Sequence, residues 1–231
     1  MLPRHIGIIM DGNGRWAAKR KLGRSRGHKE GVESLIRTLD YCYDVGIYAV
    51  SVYAFSTENW KRPKKEIDKI FDILRDYLRT TSHRLIEQDA KFVVMGDITP
   101  LPKDLKKTLS EVAEQTKDCK SHIFNMGLNY GGRAELVRAF KSMIRDGVTD
   151  PDEETLSSYL DTAKLSDPDL IIRTSGEQRL SNFMIYQAAY SELYFTDTLW
   201  PDFGEKDLQV ALDWFSSRKR KFGDVADREN E

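Results

Sequence analysis

The residues best suited to chemistry stand together near the start of the chain. An apolar run from Ile6 to Met10 ends abruptly in Asp11, followed by Gly12, Asn13, Gly14 and Arg15. Glycines let a backbone approach phosphate, and a helix beginning after them offers N–H groups and the positive end of its dipole. Gly12 to Ala17 fits the GxGxxA spacing of a dinucleotide loop. Asp11, however, directly precedes the first glycine, where its charge would repel a bare pyrophosphate. Mg²⁺ reverses that sign, because it prefers carboxylate together with phosphate oxygens. The better reading is Mg²⁺-bridged diphosphate rather than NAD; the plain alternative is a surface turn.

Two further apolar runs end in polar clusters. One leads into YAFSTENWKRP, carrying Ser56, Glu58, Asn59 and Arg62; another leads into RTSGEQRLSN, carrying Arg173, Ser175, Arg179, Ser181 and Asn182. Arg24, Arg26 and His28 follow the glycines, and arginine forks suit phosphate geometry. If the three runs are strands of one sheet, their carboxyl ends share the edge at which open α/β sheets bind ligands. That is enough polar and cationic surface for two anionic substrates side by side. The chain has no GxxxxGK[ST] loop and no HExxH, and His5, His83 and His122 read as packing or surface residues.

Positioning these groups requires alternating strands and helices. Short β-branched runs predict strands at Ile6–Met10, Ala49–Phe55, Lys91–Met95, His122–Leu128, Leu170–Thr174 and Glu192–Leu199. Longer amphipathic patterns predict helices over 29–45, 63–88, 104–118, 132–146, 153–163 and 205–219. Strands separated by helices make βαβ units, hence an α/β fold with a mostly parallel six-stranded sheet flanked by helices. No linker divides the chain, so residues 1–231 read as a single domain. The 63–88 segment is apolar over more than one stripe, which fits either a helix buried on two sides or one wall of an apolar cavity.

Composition narrows the function. Of 231 residues, 40% are hydrophobic and 32% charged, with a formal net charge of −1, which argues against a nucleic-acid binder held by a basic face. Two cysteines, Cys42 and Cys119, stand in no CxxC, so neither a disulfide framework nor a zinc site is expected and a reducing cytoplasm fits. No apolar run approaches the roughly 18 residues of a membrane span.

The segments HIGIIMDGNGRWA, GHKEG, YAFSTENWKRPKKEI, NYGGR, IRTSGEQRLSNFM and AYSELYFTDTLWPDF together resemble the cis-prenyltransferase family, over nearly the entire chain from His5 to Gly223. The resemblance is nearest to the bacterial undecaprenyl diphosphate synthase type. It implies a homodimeric, Mg²⁺-dependent transferase that adds isopentenyl diphosphate repeatedly to an allylic diphosphate, usually farnesyl diphosphate, with an apolar tunnel for the growing chain. It implies a cytoplasmic enzyme that touches the membrane surface transiently as it releases its lipid product. By the same resemblance, Asp11 and Glu192 would serve the metal. Gly12, Asn13, Gly14, Arg15, Arg24, His28 and Arg62 would cradle the allylic diphosphate, and Arg173, Arg179 and Ser181 the isopentenyl diphosphate. Ser56 and Asn59 would guide proton removal, and Trp16 and Trp60 would border the reacting hydrocarbon or simply pack. Ala54, Leu74 and Leu78 are expected along the tunnel. Gln178 replaces a histidine found in many relatives and cannot titrate, and the basic tail Arg218 to Lys221 is a candidate to approach a partner's site. A short-chain synthase and a non-catalytic scaffold subunit remain as alternatives, although Asp11, Arg173 and Arg179 speak for an enzyme.

Overall fold

The structure, a computed structural model, describes residues 1–218. The chain runs β1 (His5–Ile9), α1 (Asn13–Lys19), α2 (Arg24–Asp44), β2 (Ala49–Ser56), α3 (Lys64–Glu87), β3 (Ala90–Met95), α4 (Lys103–Gln115) and β4 (His122–Tyr130). It continues through α5 (Gly132–Arg145), α6 (Glu153–Ser158), β5 (Leu170–Arg173), β6 (Glu192–Phe195) and α7 (Glu205–Ser216). The six strands form one sheet in the order β3-β4-β2-β1-β5-β6, and every pairing is parallel. The strands read as continuous apolar runs because both faces are covered. Ile6, Ile8, Val50, Val52, Phe124 and Met126 pack with Leu35, Leu39, Phe71 and Leu78 of α2 and α3. Ile9, Met95, Tyr130, Ile171, Phe183 and Met184 form a second core.

This strand order sets the place of chemistry. After β1 the chain moves to β2 on one side; after β5 it moves to β6 on the other. The crevice between the carboxyl ends of β1 and β5 is therefore the topological switch point, the favoured ligand position of an open α/β sheet. Ile9 pairs with Arg173 there, so Asp11 lies just beyond the sheet edge.

The elements expected from the sequence are present, with informative differences. α2 starts at Arg24 rather than near residue 29; Gly27, a poor helix former, masks this first turn in the sequence. A Cβ on Gly27 would come within 2.1 Å of the Asn13 carbonyl oxygen, so its absence lets α2 lie against the loop after β1. The short α1, absent from the expected helices, fills the segment between them. α6 stops at Ser158 and single turns follow it (Leu160 N–H to Ser157, Ala163 to Leu160, Leu165 to Thr162). β6 ends at Phe195 because the next residues bend over the end of β5, where Ser175 and Gly176 donate to the carbonyls of Thr198 and Thr196. α3 buries Ile67, Phe71, Leu74, Leu78 and Leu85 against the core, with Ile70 and Ile73 half-buried on its flank.

His5 is fully buried, its Nδ1 2.6 Å from the Ser166 carbonyl and its Nε2 2.7 Å from Ser51 Oγ. Burial lowers its pKa, against smaller raising effects of Ser166 and Asp169. In the unfolded chain a histidine titrates near 6.5. As pH falls through that value the unfolded state takes up a proton that the folded state refuses, so stability falls. The expected outcome is a melting temperature that drops as pH is lowered from about 6.5, above the range where carboxylates protonate, with a shallower slope in His5→Gln. A melting temperature flat over that window would contradict the assignment.

Candidate active site

Asp11 is held by its backbone. Its N–H donates to Thr174 Oγ1 at 2.9 Å, and its carbonyl accepts from Thr174 Oγ1 at 2.6 Å and from the Trp200 N–H at 3.0 Å. The carboxylate is thereby left half-open to solvent. Its Oδ2 accepts from Arg173 at 3.0 Å, and its Oδ1 lies 3.6 Å from the Arg15 guanidinium. Gly12 follows with φ +111°, and a Cβ there would meet Leu199 and Ser175 at 3.1 Å. Only glycine turns the chain into α1 at this point without strain.

Three clefts meet at this strand end, and Met10 lines all of them. The first polar cleft, about 390 Å³, is walled by Gly12, Asn13, Gly14, Arg15, Arg24, His28 and Arg62. The second, about 530 Å³, is walled by Ser56, Glu58, Asn59, Arg173, Ser181 and Asn182. Asp11 and Arg62 border both. The apolar cleft shares Asn13 and His28 with the first polar one and runs between α2 and α3, past Ala54, Ile70, Ile73, Leu74 and Tyr77. Apart from Arg179, which lines neither cleft, the expected diphosphate residues are thus sorted into two compartments with Asp11 between them.

Within the first cleft each cation rests on an acid. Arg62 and Arg24 reach Glu66 at 2.9 and 3.2 Å, and His28 Nε2 lies 3.9 Å from it. Arg15 donates to the Ser175 carbonyl at 2.9 Å and lies 3.5 Å from Glu177. Burial, and then the Arg62 charge, lower the His28 pKa, against the raising effect of Glu66. In the second cleft Arg173 is 4% exposed. It donates to the Arg179 carbonyl at 2.5 Å, Ser181 Oγ at 2.7 Å and Asp11, while its Nε is buried without a partner. Ser56 and Asn59 cap each other: the Ser56 N–H donates to Asn59 Oδ1 at 3.1 Å, and the Asn59 N–H donates to the Ser56 side chain. Burial would raise the Glu58 carboxyl, but hydrogen bonds from its own backbone, Asn182, Ser56 and Thr57 outweigh this and hold it below the usual carboxylate range.

Several expected residues lie elsewhere. Glu192 pairs in register with Leu170 at the amino end of β5, the far end of the sheet from Asp11, and sits 3.4 Å from Arg218. Within one chain Glu192 thus lies apart from Asp11, with which the resemblance groups it at the metal. Trp16 is buried against Ala17 and Leu199 and donates to Asp202 at 2.6 Å, so it packs rather than borders a cleft. Trp60 is held by Asn129 Oδ1 at 2.8 Å and packs on Phe55 and Phe71. The Arg179 guanidinium turns outward to Glu177 at 2.5 Å, and only its carbonyl joins the Arg173 cluster. Gln178 is exposed, and Leu78 is fully buried core rather than cleft wall. The basic tail beyond Arg218 lies outside the described residues. Sequence reasoning missed Glu66 and Glu177. The spacing of four between Arg62, just before the helix, and Glu66 in its first turn was the available signal for one of them.

Comparison with known proteins settles the family. Residues 9–223 match the family described as "Putative undecaprenyl diphosphate synthase". The chain belongs to this prenyltransferase family. It is 46% identical over 230 residues to an isoprenyl transferase of Bacillus subtilis, covering 97% of this chain and 88% of that one. It is 45% identical over 224 residues to an isoprenyl transferase of Fusobacterium nucleatum, covering 97% of both. Among solved structures, lavandulyl diphosphate synthase from Lavandula x intermedia, in complex with dimethylallyl diphosphate, superposes with a TM-score of 0.93 at 36% identity over 96% of this chain and 99% of that one. A probable undecaprenyl diphosphate synthase from Campylobacter jejuni superposes with a TM-score of 0.83 at 32% identity, over 97% and 99% of the chains.

The geometry at Gly12 makes a direct prediction. Gly12→Ala forces a left-handed backbone on a residue with a Cβ and pushes that Cβ into Leu199 and Ser175. It should destabilise the fold by about 1–3 kcal/mol, read as a lower urea midpoint with unchanged m-value. A midpoint equal to the wild type would show that the loop relaxes freely.

Proposed function

We infer that this protein is a cis-prenyltransferase that condenses isopentenyl diphosphate with an allylic diphosphate such as farnesyl diphosphate, giving a polyprenyl diphosphate of the undecaprenyl type. The observation that carries the reading is Asp11 standing between two cation-lined clefts, one of which opens into an apolar groove. The allylic diphosphate belongs in the first cleft, where Gly12 to Gly14 leave room and Arg15, Arg24 and Arg62 converge, with its hydrocarbon between α2 and α3. The isopentenyl diphosphate belongs in the second, on Arg173 and Ser181. Arg179 reaches it only by leaving Glu177.

The residues present fit Mg²⁺. Among the described residues no three acidic, histidine or cysteine side chains cluster as a metal cage. Mg²⁺ does not need one, since it commonly binds through one or two carboxylates with substrate phosphates and water. Asp11, half-open between the two clefts, suits that arrangement. When bound, the ion supplies charge stabilisation to the departing diphosphate. The chain's own arginines do the same from the other side, as preorganised donors aimed where negative charge develops. As the allylic C–O bond breaks and the new carbon–carbon bond forms, a proton leaves the isopentenyl unit and pyrophosphate departs. Ser56 and Asn59, locked by their mutual cap, stand on the second cleft to guide that proton.

Product length depends on the apolar cleft, which holds only about 80 Å³, a few water volumes. A long isoprenoid therefore requires α2 and α3 to move apart. The same volume is too small for a farnesyl chain or a shorter product, so it does not rank product lengths. We propose a homodimer, supported by an exposed apolar stripe on α5, Val137, Phe140 and Ile144, and by the exposed Leu193 on the edge strand β6. No helix among the described residues is long and apolar enough to cross a membrane. We propose a cytoplasmic protein that meets the membrane surface transiently, because its product carries a long apolar tail.

Two substitutions test this reading. Asp11→Ala should lower kcat by roughly 10²–10³-fold or more, with the circular dichroism spectrum unchanged, and excess EDTA should silence the wild type. Turnover surviving either treatment would contradict the metal-bridging role. Ala54→Leu adds bulk to the apolar cleft and should make short intermediates accumulate while both diphosphates still bind. A stable, active variant with an unchanged product distribution would remove Ala54 from the chain's path.

A further inference from the structure

We propose that Glu66 is the positioning residue of the first cleft: one carboxylate that gathers Arg24, His28 and Arg62 and holds them ready for the allylic diphosphate. The inference rests on the assignment of that cleft to the allylic substrate. Glu66 lies in the first turn of α3, next to Ile67, which is buried in the core. The helix N-terminus favours its negative charge, and the packed turn fixes its place. Its three partners come from elsewhere: Arg24 opens α2, His28 lies one turn further along α2, and Arg62 lies in the loop before α3. A single side chain thus ties together two helix starts and a loop.

The geometry favours holding over blocking. The Glu66 side chain is only 14% exposed, whereas those of Arg24 and Arg62 are 69% and 36% exposed. The carboxylate itself lines the cleft, but it is the less exposed partner, and the two guanidinium groups stand further out into solvent than it does. It engages only Nη1 of each arginine, so the rest of each planar fork is left for other acceptors. Without it two guanidinium groups would repel one another and regain rotamer freedom, which binding would then have to remove. α2 and α3 also wall the apolar cleft, so Glu66 joins the diphosphate grip to the hydrocarbon wall.

The test uses the full chain in four forms: wild type, Glu66→Gln, Glu66→Asp and Arg62→Ala. Inorganic pyrophosphate binding is measured by calorimetry, and KM is measured separately for the allylic and isopentenyl substrates. Glu66→Gln keeps the volume and loses the charge. It should weaken pyrophosphate binding and raise the allylic KM roughly tenfold, more than it lowers kcat, while the isopentenyl KM stays put; Glu66→Asp should recover part of the loss. A purely structural role would instead lower the melting temperature and shift both KM values together, and that result overturns the proposal. Unchanged or tighter pyrophosphate binding in Glu66→Gln, with weaker binding in Arg62→Ala, overturns it too and makes the carboxylate a competitor. If Arg62→Ala also binds normally, the assignment of the cleft itself falls.

Discussion

The site depends on one buried cation. Arg173 closes β5 almost wholly out of water, and an ionised side chain there is tolerated only with partners. It finds them in Asp11 of the neighbouring strand end and in Ser181 and the Arg179 carbonyl of the following turn. Those bonds fix the carboxylate at the switch point and draw residues 179–181 over the second cleft. The turn carries a conformational cost: Ser175, Ser181, Asn182 and Met184 all have positive φ. Such strain persists only where surrounding contacts over-determine the backbone. Arg173 supplies some of those contacts. Asn182 supplies others, accepting from the Arg133 N–H at 2.9 Å and donating to Glu58 at 3.1 Å.

Around this centre, positive charge is stored in neutralised form. A formal net charge of −1 conceals five arginines converging on one sheet edge, each resting on Asp11, Glu66 or Glu177. The pairing orders the forks before a ligand arrives. It also leaves a diphosphate to take over bonds that carboxylates already define, which limits the reorganisation that binding requires. The apolar cleft begins where the cations stop, so head and tail of an allylic diphosphate placed there would meet different surfaces within one groove.

Much of this was legible in the sequence because parallel strands buried on both faces spell continuous apolar runs. Ile6 to Met10 followed by Asp11 declared both a strand and its functional end. Once the sheet was inferred, the strand-end rule brought Ser56, Asn59, Arg173 and Ser181 together without coordinates. What stayed hidden was set by register and long-range packing. Glu192 begins its strand instead of ending it, and only the pairing with Leu170 shows that it lies at the opposite end of the sheet from Asp11 within one chain. Trp16 looked available because nothing local announces Asp202, 186 residues later. Gly27 concealed the first turn of α2, since its reason for being glycine is the Asn13 carbonyl. Nothing in the sequence brings Arg24 to Glu66, 42 residues away; the packing of α2 beside α3 does.

The central claim is that Asp11 divides two diphosphate sites. The most direct measurement is a crystal structure of the protein with Mg²⁺, isopentenyl diphosphate and a non-ionising thio analogue of an allylic diphosphate. The account predicts one diphosphate on Arg15, Arg24 and Arg62, the other on Arg173 and Ser181, and the metal on Asp11 in contact with phosphate oxygen. Both diphosphates in one cleft, or a metal bound away from Asp11, would contradict it.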